Sequence, residues 1–339
     1  MPDPDAPLPP DLAGQDVRAP RLAIAGVALV GLTLLVASVG VIAAILRLSG
    51  DDESEPVQAV VLIDDAAFPV ALTPSRDGGF LYAEKESGAV RRVSAAGRLD
   101  PEPVATFDVN PDRQRGLLGL AEVEGDLLVA FVRRDDDRLV VVRVEGPFGE
   151  AGDPTEVWVG PPSTDLANGG HLLALGDGRL LIGIGDLQDR AARDRDDTLN
   201  GTLLVIDATG PPDQVPEVRS RGWNNPFAIT LTRDGVLWVA DNSPGSEPER
   251  LGLGERPATE AADLDVMRAP SALVELADGR LGVCGFVSGT LDVVDVGGDE
   301  PDEQGALIVP CRTGAAVLAD GRIVTATETT IFVTEPPSD

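Results

Sequence analysis

The sequence predicts an all-β, six-bladed β-propeller preceded by one transmembrane α-helix. Two observations carry the propeller: a turn containing Asp-Gly or Gly-Asp separates paired apolar strands six times, and these units recur at roughly 40–50-residue spacing, the period of a repeated four-stranded sheet. A third observation, one long charge-free apolar stretch ahead of the repeats, carries the helix.

Residues 1–20 are rich in Pro and Asp without a hydrophobic period, so they read as a disordered tail. Within 21–47, Leu22 to Leu46 contains no charged residue, and at ~1.5 Å per residue it crosses a ~30 Å hydrocarbon core. A cleaved signal peptide is the competing reading, but its apolar region is shorter, ~7–15 residues, and is followed by a small-residue cleavage site; here the stretch ends in Arg47. Arg18 and Arg21 precede it, whereas Arg47 is followed by Asp51, Asp52, Glu53 and Glu55, a bias that favours an inside N-terminus. The expectation is a single-pass protein of the cell membrane with its large domain outside the cytoplasm, joined through an acidic linker over 48–56.

The propeller is expected over 57–335. Its units pair Pro69 to Leu72 with Phe80 to Ala83, Leu117 to Leu120 with Leu127 to Ala130, and His171 to Leu175 with Leu180 to Gly183. Phe227 to Leu231 then pairs with Val236 to Val239, Ala272 to Leu276 with Leu281 to Cys284, and Ala315 to Leu318 with Ile323 to Ala326. Asp-Gly at each connection suggests a type I′ turn, whose central residues both need positive φ. Third strands are expected at Val90 to Val93, Leu139 to Val144, Leu203 to Ile206 and Leu291 to Val296.

Lys and Arg total 27 against 57 Asp and Glu, a net charge of −30 that repels phosphate backbones and excludes a nucleic-acid partner. No Cys-x-x-Cys, His-rich cluster, Gly-x-Ser-x-Gly elbow or Gly-rich phosphate loop is present. Cys284 and Cys311 belong to the fifth and sixth units; an extracytoplasmic address permits a disulfide, and two buried thiols are the alternative.

Propellers gather function at one mouth of the channel, where the loops leading into the innermost strands converge. There the chain places Gln114-Arg115-Gly116-Leu117-Leu118-Gly119, then Leu166-Ala167-Asn168-Gly169-Gly170-His171, then Trp223-Asn224-Asn225-Pro226. With Ile184-Gly185-Asp186 and Leu199 to Asp207, these blocks in this order resemble the soluble, pyrroloquinoline-quinone-dependent glucose/sorbosone dehydrogenase family. The resemblance implies a quinone cofactor held by Arg and Lys, a Ca²⁺ ligated by backbone carbonyls, and a His base that takes a proton from a sugar hydroxyl.

The residues that would do this chemistry are replaced. Ala167 falls on the His position, Asn224 on an Arg, Val287 on a Lys, and Cys311 and Thr313 on paired Arg positions, with Arg312 between them. A tricarboxylate cofactor would meet a mouth without those cations, so the expectation is a mouth without the quinone, with Ca²⁺ as the one cofactor still open. Gln114 and Asn225 match polar positions and remain as candidate ligand contacts. Ser243 and Pro244 match the loop whose carbonyls ligate Ca²⁺, although two carbonyls leave that ion short of its 6–8 ligands.

The expectation is therefore a redox-inactive module that binds a carbohydrate or protein ligand at the propeller mouth. Two alternatives stand beside it: an active sugar oxidoreductase with His171 as a displaced base, and a metal-dependent lactonase-like hydrolase using Asp186, Asn225 and Asp241.

Overall fold

The computed structural model describes residues 58–146, 152–245, 247–265 and 268–335. The tail, the apolar stretch Leu22 to Leu46 and the acidic linker lie outside the described residues. Among the described residues no helix is long and apolar enough to cross a membrane.

The strands form six antiparallel four-stranded sheets. The chain begins with β1 (Ala59–Asp64) and then builds the first blade from β2 (Pro69–Pro74), β3 (Phe80–Glu84), β4 (Ala89–Val93) and β5 (Ala105–Thr106). The second comprises β6 (Leu117–Val123), β7 (Asp126–Val132), β8 (Arg138–Val144) and β9 (Thr155–Pro162), and the third β10 (Gly169–Gly176), β11 (Arg179–Ile184), β12 (Thr202–Asp207) and β13 (Glu217–Arg221). The fourth holds β14 (Ala228–Leu231), β15 (Leu237–Asp241), β16 (Glu249–Leu253) and β17 (Ala262–Leu264). The fifth holds β18 (Pro270–Glu275), β19 (Leu281–Gly285), β20 (Thr290–Asp295) and β21 (Asp302–Pro310). The last has β22 (Gly314–Val317), β23 (Ile323–Ala326) and β24 (Thr330–Thr334), and its outer strand is β1, paired antiparallel with β24. That closure joins the first strand to the last blade and removes the seam that a linear array of blades would leave open.

Side-chain alternation explains why these strands read as continuous apolar runs. On β7, Leu128, Ala130 and Val132 pack with Leu180, Ile182 and Ile184 of the third blade, while Leu127, Val129 and Phe131 pack with Leu81, Ala83 and Val90 of the first. On β11, Leu181 joins Val239 and Leu237 of the fourth blade instead. Both faces of each blade are buried against a neighbour, so the period of two is hidden in the sequence although it governs the packing.

The hairpin turns differ from the type I′ expectation. Both central residues have positive φ only at Asp177-Gly178 (51° and 71°) and at Glu124-Gly125 (54° and 99°). In the other four only the glycine does: Gly78, Gly235, Gly279 and Gly321, at 83° to 87°. The aspartate before them does not take positive φ, and in three of the four its carboxylate accepts a backbone N–H two residues on: Asp77 from Gly79 (3.1 Å), Asp278 from Arg280 (3.1 Å) and Asp320 from Arg322 (3.2 Å). These are three-residue loops ending in a left-handed glycine, for which Asp supplies the local hydrogen bond.

The first strands of the six blades surround the channel, where they line a cavity of about 490 Å³. His171 on β10 faces it from among Leu72, Leu120, Ile229, Leu273 and Ala316, with its ring edge-on to Phe227 at 5.9 Å. Its Nδ1 has no hydrogen-bond partner, and burial pushes its pKa down to about 4. From about pH 6.5 down towards pH 4 the unfolded chain takes up a proton that the folded chain refuses, so stability present above pH 6.5 is lost on acidification. Wild-type protein should therefore lose about 2–3 kcal/mol more between pH 7.5 and 4.5 than His171→Gln, measured by urea unfolding at the two pH values.

Candidate functional site

A second cavity, of about 320 Å³, opens among the loops at the mouth and is lined by Gln114, Leu166, Ala167, Asp186, Gln188, Arg190, Asn224, Asn225, Asn242, Ser243 and Pro244. These residues come from the loops leading into β6, β10 and β14 and from the loops after β11 and β15. The sequence singles out seven of them: Gln114, Ala167, Asp186, Asn224, Asn225, Ser243 and Pro244. It gives no such signal for Leu166, Gln188, Arg190 and Asn242.

The loops interlock through their backbones. Ala167 N–H donates to Gln114 Oε1 at 2.8 Å, and Asn168 Nδ2 donates to Gln114 O at 3.1 Å. A Cβ on Gly185 would lie 1.8 Å from the Ala167 carbonyl oxygen, so only glycine lets Asp186 follow β11 this close to the Ala167 loop. Asp186 N–H then donates to Asn224 O at 2.6 Å, and Leu187 N–H to Ala167 O at 3.1 Å. Ala167, Leu187 and Gln188 all hold positive φ (56°, 53° and 60°), a concentration of unfavourable backbone that the surrounding contacts sustain.

Asp241, fully buried, fixes the Asn224-Asn225 turn. It accepts Asn224 N–H at 3.0 Å and Asn225 N–H at 2.7 Å, and it is also paired with Arg250. Asn225 Oδ1 receives Gly169 N–H at 3.0 Å. Both residues thus hold the loops together through hydrogen bonds. Among the described residues no group of three or more His, Cys, Asp or Glu side chains is disposed to hold a metal.

Two buried acceptors belong to residues that line the cavity. Asn224 is 4% exposed; its Nδ2 donates to Asn242 O at 2.5 Å, but its Oδ1 has no partner. Leaving such an acceptor unsatisfied costs about 1–3 kcal/mol. Asp186 is 3% exposed, and its Oδ1 accepts Gln188 N–H at 2.8 Å. Burial raises the Asp186 pKa, with repulsion from Asp241 adding to it, against the lowering effects of that hydrogen bond, Arg193 and Arg190.

The cations expected at the family's positions are absent from this cavity. Val287 is 58% exposed on the loop after β19, and Thr313 is buried with its hydroxyl donating to Thr327 O at 3.1 Å. Arg312 lies over the Phe286 ring at 5.0 Å and pairs with Glu328 at 3.4 Å. Cys311 is joined to Cys284 in a disulfide, with Cα atoms 5.3 Å apart. Arg190 does line the cavity, but its guanidinium is engaged by both carboxylate oxygens of Glu247. His171, the base of the oxidoreductase alternative, lines the channel and not this cavity.

The propeller fold is shared with several solved structures. The chain aligns with the soluble aldose sugar dehydrogenase of Escherichia coli at TM-score 0.70 and 20% identity, over 83% of this chain and 100% of that one. A glucose dehydrogenase-type oxidoreductase of Thermus thermophilus gives 0.70 and 20%, over 82% and 99%. The PQQ-bound aldose sugar dehydrogenase of Streptomyces coelicolor gives 0.65 and 20%, over 83% and 99%. No curated protein matches the sequence. The glucose/sorbosone dehydrogenase family profile matches residues 66–249, and the chain belongs to that family.

The family's quinone does not fit the residues present. It is a tricarboxylate, and the lining offers one guanidinium already neutralised by Glu247, with the buried Asp186 carboxylate opposed to any anion. Ser243 and Pro244 do line the cavity, on the loop expected to present carbonyls to Ca²⁺.

Proposed function

We propose that the mouth binds a small hydroxylated ligand without oxidising it. The observation that carries this reading is the cavity lining itself, the amides of Gln114, Asn224, Asn225 and Asn242, with Ala167 where the family resemblance implies a proton acceptor. Gln114 Oε1 is taken by Ala167, which leaves its Nε2 as a donor for the same ligand. Amide donors and acceptors beside the apolar Leu166 are the surroundings that suit a sugar, whose hydroxyls need partners and whose ring carbons need cover. A protein ligand at the same mouth is the other binding mode in view.

The reading also places the chain in the cell membrane, with Leu22 to Leu46 as a single-pass anchor and the propeller outside the cytoplasm. The length of that apolar stretch and the buried Cys284–Cys311 bridge support it, since disulfides persist in oxidising compartments. Protease added to intact cells should then degrade the propeller, and protection until lysis would refute this address.

Reconstitution of the full chain with pyrroloquinoline quinone and Ca²⁺, assayed on aldoses with an artificial electron acceptor, should give no turnover. Calorimetric titration with aldoses should show binding that Asn224→Ala weakens by about tenfold, the cost of one hydrogen-bonding residue in a desolvated site. Family membership favours a second reading, a working aldose oxidoreductase. Turnover in the reconstituted protein would establish that reading in place of the first.

A further inference from the structure

We infer a second binding site in the channel, open on the face opposite the mouth, for a neutral aliphatic alcohol whose chain lies along the shaft and whose hydroxyl bonds His171 Nε2. The site shares no residue with the mouth cavity.

The course of the first strands shows where the shaft opens. Each runs from the mouth loops to a hairpin turn, and among the residues lining the shaft those at the hairpin end, Pro74, Leu231, Arg233, Ala277 and Ala319, are exposed. Those early in the strands, Ala71, Leu120, Ala272 and Ala315, are buried. From Ala272 to Ala277 the lining follows one chain over roughly 16 Å, at ~3.3 Å per residue. Spread over that length, a volume of about 490 Å³ leaves a cross-section of about 30 Å², room for one chain. The side chains along it are mainly aliphatic, among them Leu72, Ile229, Leu273, Val274 and Leu318, and such a wall suits an alkyl group.

His171 marks the inner end. It keeps part of its surface accessible, yet it is desolvated enough for its pKa to fall to about 4, so that surface faces an interior space. Nδ1 is enclosed without a partner, whereas Nε2 is not enclosed and no hydrogen-bonding group among the described residues reaches it. A hydroxyl both donates and accepts, so it satisfies Nε2 in either tautomer of the neutral ring. Of the hydroxyls along the shaft, that of Thr73 already donates to Leu120 O at 3.1 Å, and Thr230 stands near the rim, beside Leu231.

Charge selects against an anionic head group. Arg233, the cation of the lining, pairs with Glu275 at 3.0 Å and donates to Leu276 O at 2.8 Å, and the imidazole is neutral at pH 7. A carboxylate would enter with no free cation to meet it, on a chain of net charge −30.

The test uses the full chain in phosphatidylcholine nanodiscs with its histidine labelled in ¹⁵N, titrated at pH 7 with 1-butanol, 1-hexanol, hexanoate and glucose, and concentrations are referred to free solute in the aqueous phase. His171 is the only histidine, so its two ring resonances report this site alone. Hexanol should shift Nε2 saturably and bind more tightly than butanol by about fourfold per added CH₂. Hexanoate should bind at least about tenfold more weakly than hexanol, and glucose should leave both resonances in place whether or not it occupies the mouth. By calorimetry His171→Leu should weaken hexanol about tenfold, the loss of one hydrogen bond in a desolvated site. Leu231→Trp, which narrows the rim at an exposed position where a larger side chain needs no core space, should weaken it as well. Unmoved resonances with hexanol would overturn the inference, as would equal affinity for butanol and hexanol or for hexanol and hexanoate. A glucose shift at His171 would overturn it by showing a shaft that takes polyols, and wild-type hexanol affinity in both variants would place the alcohol elsewhere.

Discussion

Arg268→Leu should destabilise the propeller by about 3–5 kcal/mol, the cost of breaking a buried ion pair and leaving its carboxylates behind. Arg268 is 3% exposed in the connection between the fourth and fifth blades. Its Nε donates to Asp292 Oδ2 of β20 at 2.6 Å, and its guanidinium also reaches Glu303 of β21. The backbone N–H groups of Arg268 and Ala269 donate to the two carboxylate oxygens of Glu249 on β16, at 2.7 and 2.6 Å. One residue thus ties the outer strands of the fifth blade to a fixed point on the fourth. Equilibrium urea unfolding checks the magnitude. Arg268→Leu combined with Asp292→Leu should recover part of the loss, because the second change removes an uncompensated charge; a double variant no more stable than the single one would show that the pairing with Asp292 is not the source.

Replacing Cys284 and Cys311 together by alanine should cost about 3.5 kcal/mol on the chain-entropy account. The bridge spans 27 residues of sequence, from β19 in the fifth blade to the segment leading into β22 in the sixth. The last blade is completed by β1, which pairs with β24. The crosslink ties the fifth blade to this last one and restricts the unfolded chain. Both cysteines are fully buried, so dithiothreitol should reduce the native protein slowly and the unfolded protein quickly. Thermal unfolding of the double variant beside the wild type gives the magnitude, and an unchanged midpoint would mean that blade packing alone fixes the closure.

Much of the fold was readable because its units repeat. The strand pairs from Pro69 to Ala326 and the third strands at Val90, Leu139, Leu203 and Leu291 lie where the apolar runs and turns put them. The turn chemistry was readable only in part. Asp-Gly marks a hairpin in either of two backbone forms, and φ at the aspartate, which separates them, depends on how the flanking strands pair. The role of β1 was not readable, since its partner β24 lies at the other end of the propeller and no local pattern records it.

The mouth divides in the same way. Motif order brought Gln114, Ala167, Asp186, Asn224, Asn225, Ser243 and Pro244 to one cavity, yet it could not say which polar atoms had already found partners. Asn224 and Asn225 are adjacent and chemically identical. Gly169 N–H takes the Oδ1 of Asn225, while that of Asn224 has no partner. Arg190 carried no motif; its approach to the cavity and its pairing with Glu247, 57 residues away, arise from two neighbouring loops of different blades.

By itself the sequence determined that the chain folds into six repeated sheets and which residues stand at its motif positions, because identity at a motif position and apolar periodicity are local properties of the chain. Only the tertiary structure decided which acceptors the protein itself satisfies, that His171 lines the channel, and that Asp241 and Asn225 hydrogen-bond the mouth loops to one another. Hydrogen-bond satisfaction and burial are set by groups that meet across blades, and those distances are written in the packing of the sheets rather than along the chain.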